Sequence, residues 1–178
     1  MSIYVETERL ILRQFTADDV EELHHICSQP YILKWMSDWK RTKEERKEWV
    51  IWIQEYYTKS TKYIARIMLA VTLKASKELI GMVDIGNKEE VNNEIEIAYF
   101  ISEYHSNNGY ITEASKAIIE WAFNNLKLRY LIAIIEPDNI GSQRVVEKCG
   151  FTKLDIKMIS NSRDTEEKPF YYYRIYNK

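Results

Sequence analysis

The segment richest in chemical possibility is Glu94-Ile-Glu-Ile-Ala-Tyr-Phe-Ile101, followed closely by Ser106-Asn-Asn-Gly-Tyr-Ile-Thr-Glu-Ala114. A strand pattern runs into a short polar loop with one glycine and then straight into a long helical pattern. Unpaired backbone N–H groups and the positive end of a helix dipole therefore converge on the loop, which is the chemistry of anion binding. Gly109 lets a phosphate approach the backbone, and Ser106, Asn107, Asn108 and Thr112 add short polar side chains. Taken alone, the same run also reads as an ordinary Asn-Gly turn ahead of a helix. The adjacent His24 and His25 do not suggest a metal site: neighbours on a helix point in different directions, and no further Cys or His stands at ligand spacing. No metal is expected.

The elements that must position the loop follow from periodicity. Glu8 to Phe15 alternates as a strand at or near a sheet edge, and Thr16 opens a helix with Asp18 and Asp19 at its positive end. Val20, Leu23 and Cys27 recur there at helical spacing, and Pro30 should end it. Thr42 to Glu45 forms a capping box for a second helix with the stripe Trp49, Ile53 and Tyr56. Strands are expected at Tyr63 to Thr72 and Leu79 to Ile85, with a turn at Lys74 to Lys77, and again at Glu94 to Ile101. Tyr110 to Leu126 is the strongest helix, with Ile111, Ala114, Ile118 and Ala122 on one face. Tyr130 to Ile135 reads as a strand, and Ile140 to Lys148 as a short helix stopped by Gly150. Phe151 to Ile159 and Phe170 to Tyr176 close the chain as an antiparallel pair. The order implies a mixed α/β fold with a mostly antiparallel sheet.

The 178 residues, with 3 Pro, 5 Gly and no low-complexity linker, are read as a single domain over residues 1–178. Hydrophobic residues make up 46% of the chain and aromatic ones 13%, enough apolar surface to offset the entropy of ordering. Lys and Arg number 25 against 27 Asp and Glu, without the basic excess that a nucleic-acid partner would favour. No apolar stretch is long enough to cross a membrane, and Glu6 and Glu8 stand where an export signal needs cations, so a cytoplasmic protein is expected. In that compartment Cys27 and Cys149 are read as small buried thiols rather than a disulfide. A monomer or a homodimer is expected, with Phe170 to Tyr173 as an aromatic edge for self-association.

A second segment sharpens the loop. Asn139-Ile-Gly-Ser142, followed by Val145, Val146 and Glu147-Lys-Cys-Gly-Phe151, resembles the N-x-x-S … K-x-G-F ending of the GNAT superfamily of acetyl-CoA-dependent N-acetyltransferases. Tyr110-Ile-Thr-Glu-Ala114 is similar to that family's G-Y-x-T-E-A helix start. Thr7-Glu-Arg-Leu-Ile-Leu-Arg13 resembles the first strand of its ribosomal-protein alanine N-acetyltransferase branch. The superfamily's pyrophosphate loop is usually Q/R-x-x-G-x-G/A; here Ser106 and Ile111 depart from it, while Gly109 is kept.

The resemblance implies a splayed sheet of about seven strands flanked by about four helices, with acetyl-CoA as co-substrate in the cleft where two central strands part. The pantetheine arm would pair with the backbone around Tyr99, Phe100 and Ile101, and the pyrophosphate would sit on Asn108, Gly109, Tyr110, Ile111 and Thr112, beside Ser106 and Asn107. His105 is the candidate substitute for the missing cationic anchor. Asn139 would bond the pantetheine, while Arg144 and Lys148 either meet the 3′-phosphate or remain solvated helix charges. Glu96, with Glu94 two residues away on the same face, is the candidate base for the amine. A backbone N–H near Tyr99 would polarise the thioester. Ser142 either protonates the departing thiolate or only serves the helix N-terminus. Tyr31, Trp35, Met36 and Trp39 either bind the acceptor or are core. Candidate acceptors are a protein N-terminal amine, a polyamine, or an aminated antibiotic or metabolite. The alternatives to an enzyme are a non-catalytic acyl-CoA sensor and a domain that binds another phosphorylated ligand.

Overall fold

Eight segments of alternating or continuous apolar character pair into one sheet in the computed structural model, which describes residues 3–59, 66–160 and 166–177. The strands are β1 (Tyr4–Glu6), β2 (Leu10–Arg13), β3 (Arg66–Leu73), β4 (Leu79–Lys88), β5 (Glu94–Ile101), β6 (Tyr130–Ile135), β7 (Thr152–Ile159) and β8 (Lys168–Tyr176). They lie in the order β1-β2-β3-β4-β5-β6-β8-β7. Every neighbouring pair is antiparallel except β5 with β6. The expected sheet of about seven strands is thus one strand larger. The addition is β1, too short for an alternation pattern to reveal and fixed by its pairing of Tyr4 to Glu6 with Arg13 to Ile11. The expected strand from Tyr63 begins at Arg66 among the described residues; positions 63–65 lie outside them.

Side-chain alternation divides the core in two. Ile67, Leu69, Val71, Val83, Ile85, Ile97 and Ile101 face α4 (Tyr110–Leu126), which answers with Ile111, Ala114, Ile118 and Ala122. Val146 of α5 (Ile140–Lys148) joins the same layer. On the other face Met68, Ala70, Met82 and Phe100 pack against α1 (Val20–Cys27), α2 (Pro30–Leu33) and α3 (Lys43–Lys59). Each large apolar side chain removed from water in these layers stabilises the fold by roughly 1.5–3 kcal/mol.

The first helical region differs from the expectation. Ala17–Asp19 forms a 3₁₀ turn held by Asp19, whose carboxylate receives both Nη atoms of Arg13 at 2.7 Å, and α1 begins after it. Pro30 does not only end that helix; it opens α2, because its locked φ and missing N–H suit a first helical turn. With that one-turn helix counted, five helices flank the sheet rather than about four. The capping box of α3 is present: the Thr42 N–H donates to Glu45 Oε2 at 2.7 Å, and the Glu45 N–H donates to Thr42 Oγ1 at 3.2 Å.

The feature that makes a site is the β5–β6 junction. β4 and β5 share eight registered pairs from Gly81↔Ile101 to Lys88↔Glu94, whereas β5 and β6 share one, Glu96↔Ile132. Beyond that point the strands diverge. The edge of β5 from Ile97 to Ile101 faces a cleft instead of a neighbour.

Candidate active site

The splay opens a cleft of about 1280 Å³. One of its walls is largely backbone. After β5, a 3₁₀ turn over Glu103–His105 leads to Asn107 at φ 62° and Gly109 at φ 78°, both left-handed, and α4 starts at Tyr110. The loop is braced from below. Asn108 donates its Nδ2 to the Ser106 carbonyl at 3.0 Å, and its own carbonyl accepts Arg9 Nη1 at 3.0 Å. Arg9 Nε bonds Glu113 Oε2 at 2.7 Å, Thr7 Oγ1 donates to Glu113 Oε1 at 2.5 Å, and the Arg9 guanidinium lies 4.4 Å from the centre of the Tyr110 ring. Partial burial raises the Glu113 pKa, but the bonds from Thr7 and Arg9 outweigh it and hold the carboxyl below its ordinary value.

Ser106, Asn107, Gly109, Ile111 and Thr112 line the cleft, while Asn108 and Tyr110 are not among the lining residues and serve the brace. His105 does not replace the missing cation: its Nε2 is 3.5 Å from Glu78, outside the cleft. The cation beside Gly109 is Arg9, whose Nη2 would stand 3.5 Å from a Cβ placed on that glycine. Sequence reasoning missed Thr7, Arg9 and Glu113 as parts of the loop. They stand in the two motifs Thr7-Glu-Arg9 and Thr112-Glu-Ala114, so the signal was present as a pairing between them.

The wall continues along Tyr99, Phe100 and Ile101 and crosses to α5. Tyr99 donates its hydroxyl to the Ser142 carbonyl at 2.9 Å, tying the two sides of the splay together; burial raises its pKa. Asn139 is the cap of α5, its Oδ1 accepting the Ser142 N–H at 3.1 Å. The capping function considered for Ser142 therefore belongs to Asn139. Ser142, Arg144 and Lys148 all line the cleft, the last two exposed.

At the crotch of the splay sits Glu96. It is 9% exposed, and its carboxylate accepts the Ile134 backbone N–H from β6. Burial pushes its pKa up to about 7, against the lowering influence of Lys88, Arg66 and that hydrogen bond. Asp84, on the same face of β4, is 3% exposed and is also pushed by burial to about 7, opposed by Arg66 at 3.2 Å and reinforced by Glu96. Glu94 is diverted: it accepts the Tyr172 hydroxyl at 2.8 Å and Arg174 Nη2 at 3.1 Å, beside a separate cavity of about 360 Å³. Asp84 and Arg66 were not anticipated, although Asp84 is the single charged residue in the run Leu79–Ile85.

The opposite wall holds Tyr31, Trp35, Met36 and Trp39 together with Trp49 and Trp52. Trp39 is both core and floor. It is 9% exposed, meets Phe100 edge-on at 5.0 Å and Trp49 at 5.3 Å, and is backed by Arg46, whose Nη2 donates to the Trp39 carbonyl. Tyr31 stands at the rim, 41% exposed. Elsewhere, the His25 ring stacks on Tyr104 at 6.2 Å, and Cys27 is a free buried thiol whose pKa burial pushes up to about 12. Among the described residues no group of three His, Cys, Asp or Glu is arranged to hold a metal ion, and no helix is long and apolar enough to cross a membrane.

Known proteins are similar in sequence and in fold. The family model of the GNAT acetyltransferase domain matches residues 9–152. The uncharacterized N-acetyltransferase YnaD of Bacillus subtilis is 27% identical over 173 residues, covering 97% of this chain and 96% of that one. A GNAT-family acetyltransferase from Bacillus anthracis superposes with a TM-score of 0.79 at 26% identity, over 98% of each chain. A ribosomal alpha-N-protein acetyltransferase in complex with coenzyme A gives a TM-score of 0.79 at 15% identity over 98% of each chain, a likeness of fold.

Proposed function

The chain belongs to the GNAT acetyltransferases and is an acetyl-CoA-dependent acyltransferase, and from that premise we propose that it acetylates a primary amine by direct transfer with both substrates bound. The observation that carries the proposal is the buried Glu96 carboxylate at the crotch of the splay, with a pKa near 7, between an anion-binding backbone and an aromatic wall. A base works best when its pKa lies near the working pH. The named acetyltransferase relatives favour an enzyme over a non-catalytic sensor.

Acetyl-CoA supplies the acetyl thioester. The cleft fits it: the left-handed Gly109 keeps side-chain bulk away from the amides that open α4, and the unpaired edge of β5 can pair with an amide-bearing arm. In this reading Ser106, Asn107, Gly109, Ile111 and Thr112 hold the pyrophosphate, Tyr99 to Ile101 and Asn139 hold the pantetheine, and Arg144, with Lys148 beside it, meets the 3′-phosphate. Glu96 takes a proton from the ammonium, directly or through water. The amine nitrogen then bonds the carbonyl carbon as the carbon–sulfur bond breaks, and a backbone N–H near Tyr99 polarises the carbonyl. The nitrogen's second proton, released as the intermediate collapses, passes through the Ser142 hydroxyl to the departing thiolate, so the hydroxyl ends as it began. Tyr31, Trp35 and Trp39 bound the acceptor, a protein N-terminal amine or a small-molecule amine.

Titration calorimetry with acetyl-CoA, using ATP as the control ligand, should give one-to-one binding selective for acetyl-CoA; equal binding of ATP would refute the loop assignment. With an accepted amine, Glu96→Gln should slow turnover mainly below the amine's own pKa, where a proton must be removed. An unchanged pH–rate profile would assign the base elsewhere.

A further inference from the structure

β4 buries every residue from Leu79 to Gly86, and one of them is Asp84. Oδ2 of that carboxylate is held by Arg66, but Oδ1 is buried with no hydrogen-bond partner among the described residues, and the residue lines the cleft. A buried acceptor left unmade is costly, and such groups call for an occupant. The register pairs Asp84 with Ala98 and Gly86 with Glu96, so the two residues occupy diagonal positions on one face of neighbouring strands, their backbone positions roughly 7–8 Å apart.

The surrounding charge has the same sign. Arg66 is engaged with Asp84 and Lys88 with Glu90, leaving Glu89 and Glu96 on this wall and Asp38 and Glu48 on the facing one, with Arg41 as the further cation. Trp52 adds a π face that favours a cation over an anion, while the ring of Trp35 already carries Lys34 Nζ 4.5 Å from its centre.

We propose that Asp84 Oδ1 anchors a second cation subsite in the acceptor half of the cleft, which selects amines carrying a second ammonium group about four or five methylenes from the first. The inference rests on the acetyltransferase reading above. One nitrogen is delivered to Glu96 and loses its proton; the other stays protonated against Asp84.

The test uses the full chain saturated with CoA, titrated calorimetrically with 1,5-diaminopentane and with n-pentylamine, and in parallel an assay of CoA release from acetyl-CoA with each amine. The diamine should bind at least about tenfold more tightly, the equivalent of about 1.4 kcal/mol. Asp84→Asn should bring the two within about twofold while the protein stays folded and acetyl-CoA binding stays near wild type. Equal binding of both amines to the wild type overturns the subsite with no variant needed, as does a diamine preference that survives in a folded Asp84→Asn protein. Diamine-selective binding without CoA release from any amine supports the subsite and instead sinks the transfer reading.

Discussion

The two walls of the cleft are made of different materials. On the side proposed for the cofactor the groups presented are main-chain: the amides at the start of α4, the free edge of β5, and a loop whose side chains are largely spent bracing it. On the side proposed for the acceptor they are side chains: two buried carboxylates, Arg66, and a wall of tryptophans. Backbone can hold one ligand in many relatives whose side chains differ, because its geometry depends on few residues. A wall of side chains can be rebuilt by single substitutions, so the choice of acceptor is where members of one family can diverge.

The harshest test of that contrast is Gly109→Trp. An L side chain at φ 78° is strained, and the indole would crowd the amides and Arg9. Acetyl-CoA affinity should fall by at least about 100-fold in calorimetry, near 2.7 kcal/mol. Retained binding would mean that the backbone cradle lies elsewhere.

Trp39→Ala strikes the other wall. Removing a buried indole wedged between Phe100, Trp49 and Arg46 should cost about 3–5 kcal/mol in urea unfolding. Under conditions where the variant remains folded, acetyl-CoA binding should stay close to wild type.

The two carboxylates give stability a pH dependence opposite in sign to that of Glu113 under the backbone wall, whose lowered carboxyl loses its contribution as pH falls. Glu96 and Asp84 are raised to about 7 from ordinary values of 4.5 and 3.8. Between those limits the folded state holds more protons than the unfolded one, so stability falls as pH rises. The contribution is full below about pH 4 and lost on passing through 7. Melting temperature should therefore drop between about pH 5 and about pH 8, and Glu96→Gln should flatten the slope. A slope unchanged in the variant would place the titration on other groups.

Smaller effects refine the cofactor side. Asn139→Ala removes the cap of α5 and should cost about 1 kcal/mol of stability. Arg144→Ala, an exposed charge, should weaken acetyl-CoA by only about two- to fivefold, with the loss shrinking at high salt. Equal loss for dephospho-CoA would show that Arg144 does not meet the 3′-phosphate.

The backbone wall was also the more legible one. β5, α4, β6 and α5 have the bounds that periodicity implies, because each is strongly patterned and closed by local signals such as the left-handed Gly109 and Gly150. The acceptor wall depends on distant pairings that local patterns do not contain. Asp84 meets Arg66 and Glu96 only through the register of three strands. Glu94 and Glu96 look alike in sequence and share a face; Arg174, 80 positions after Glu94, claims the first and leaves the second to the cleft. Trp39 could be read as core or as ligand wall because it is placed to be both.

The position of β8 bears on how the protein is made. Although it follows the other seven strands in the chain, it lies inside the sheet between β6 and β7, with registered pairs to both. During synthesis β7 emerges before the strand that will anchor it, and Glu94 before its partner Arg174. Phe170, which lines the cleft, arrives with the same segment. A nascent chain can thus pair β3, β4 and β5 and dock α4 before residues 168–176 emerge, and the part of the cleft that Phe170 lines is completed only with them.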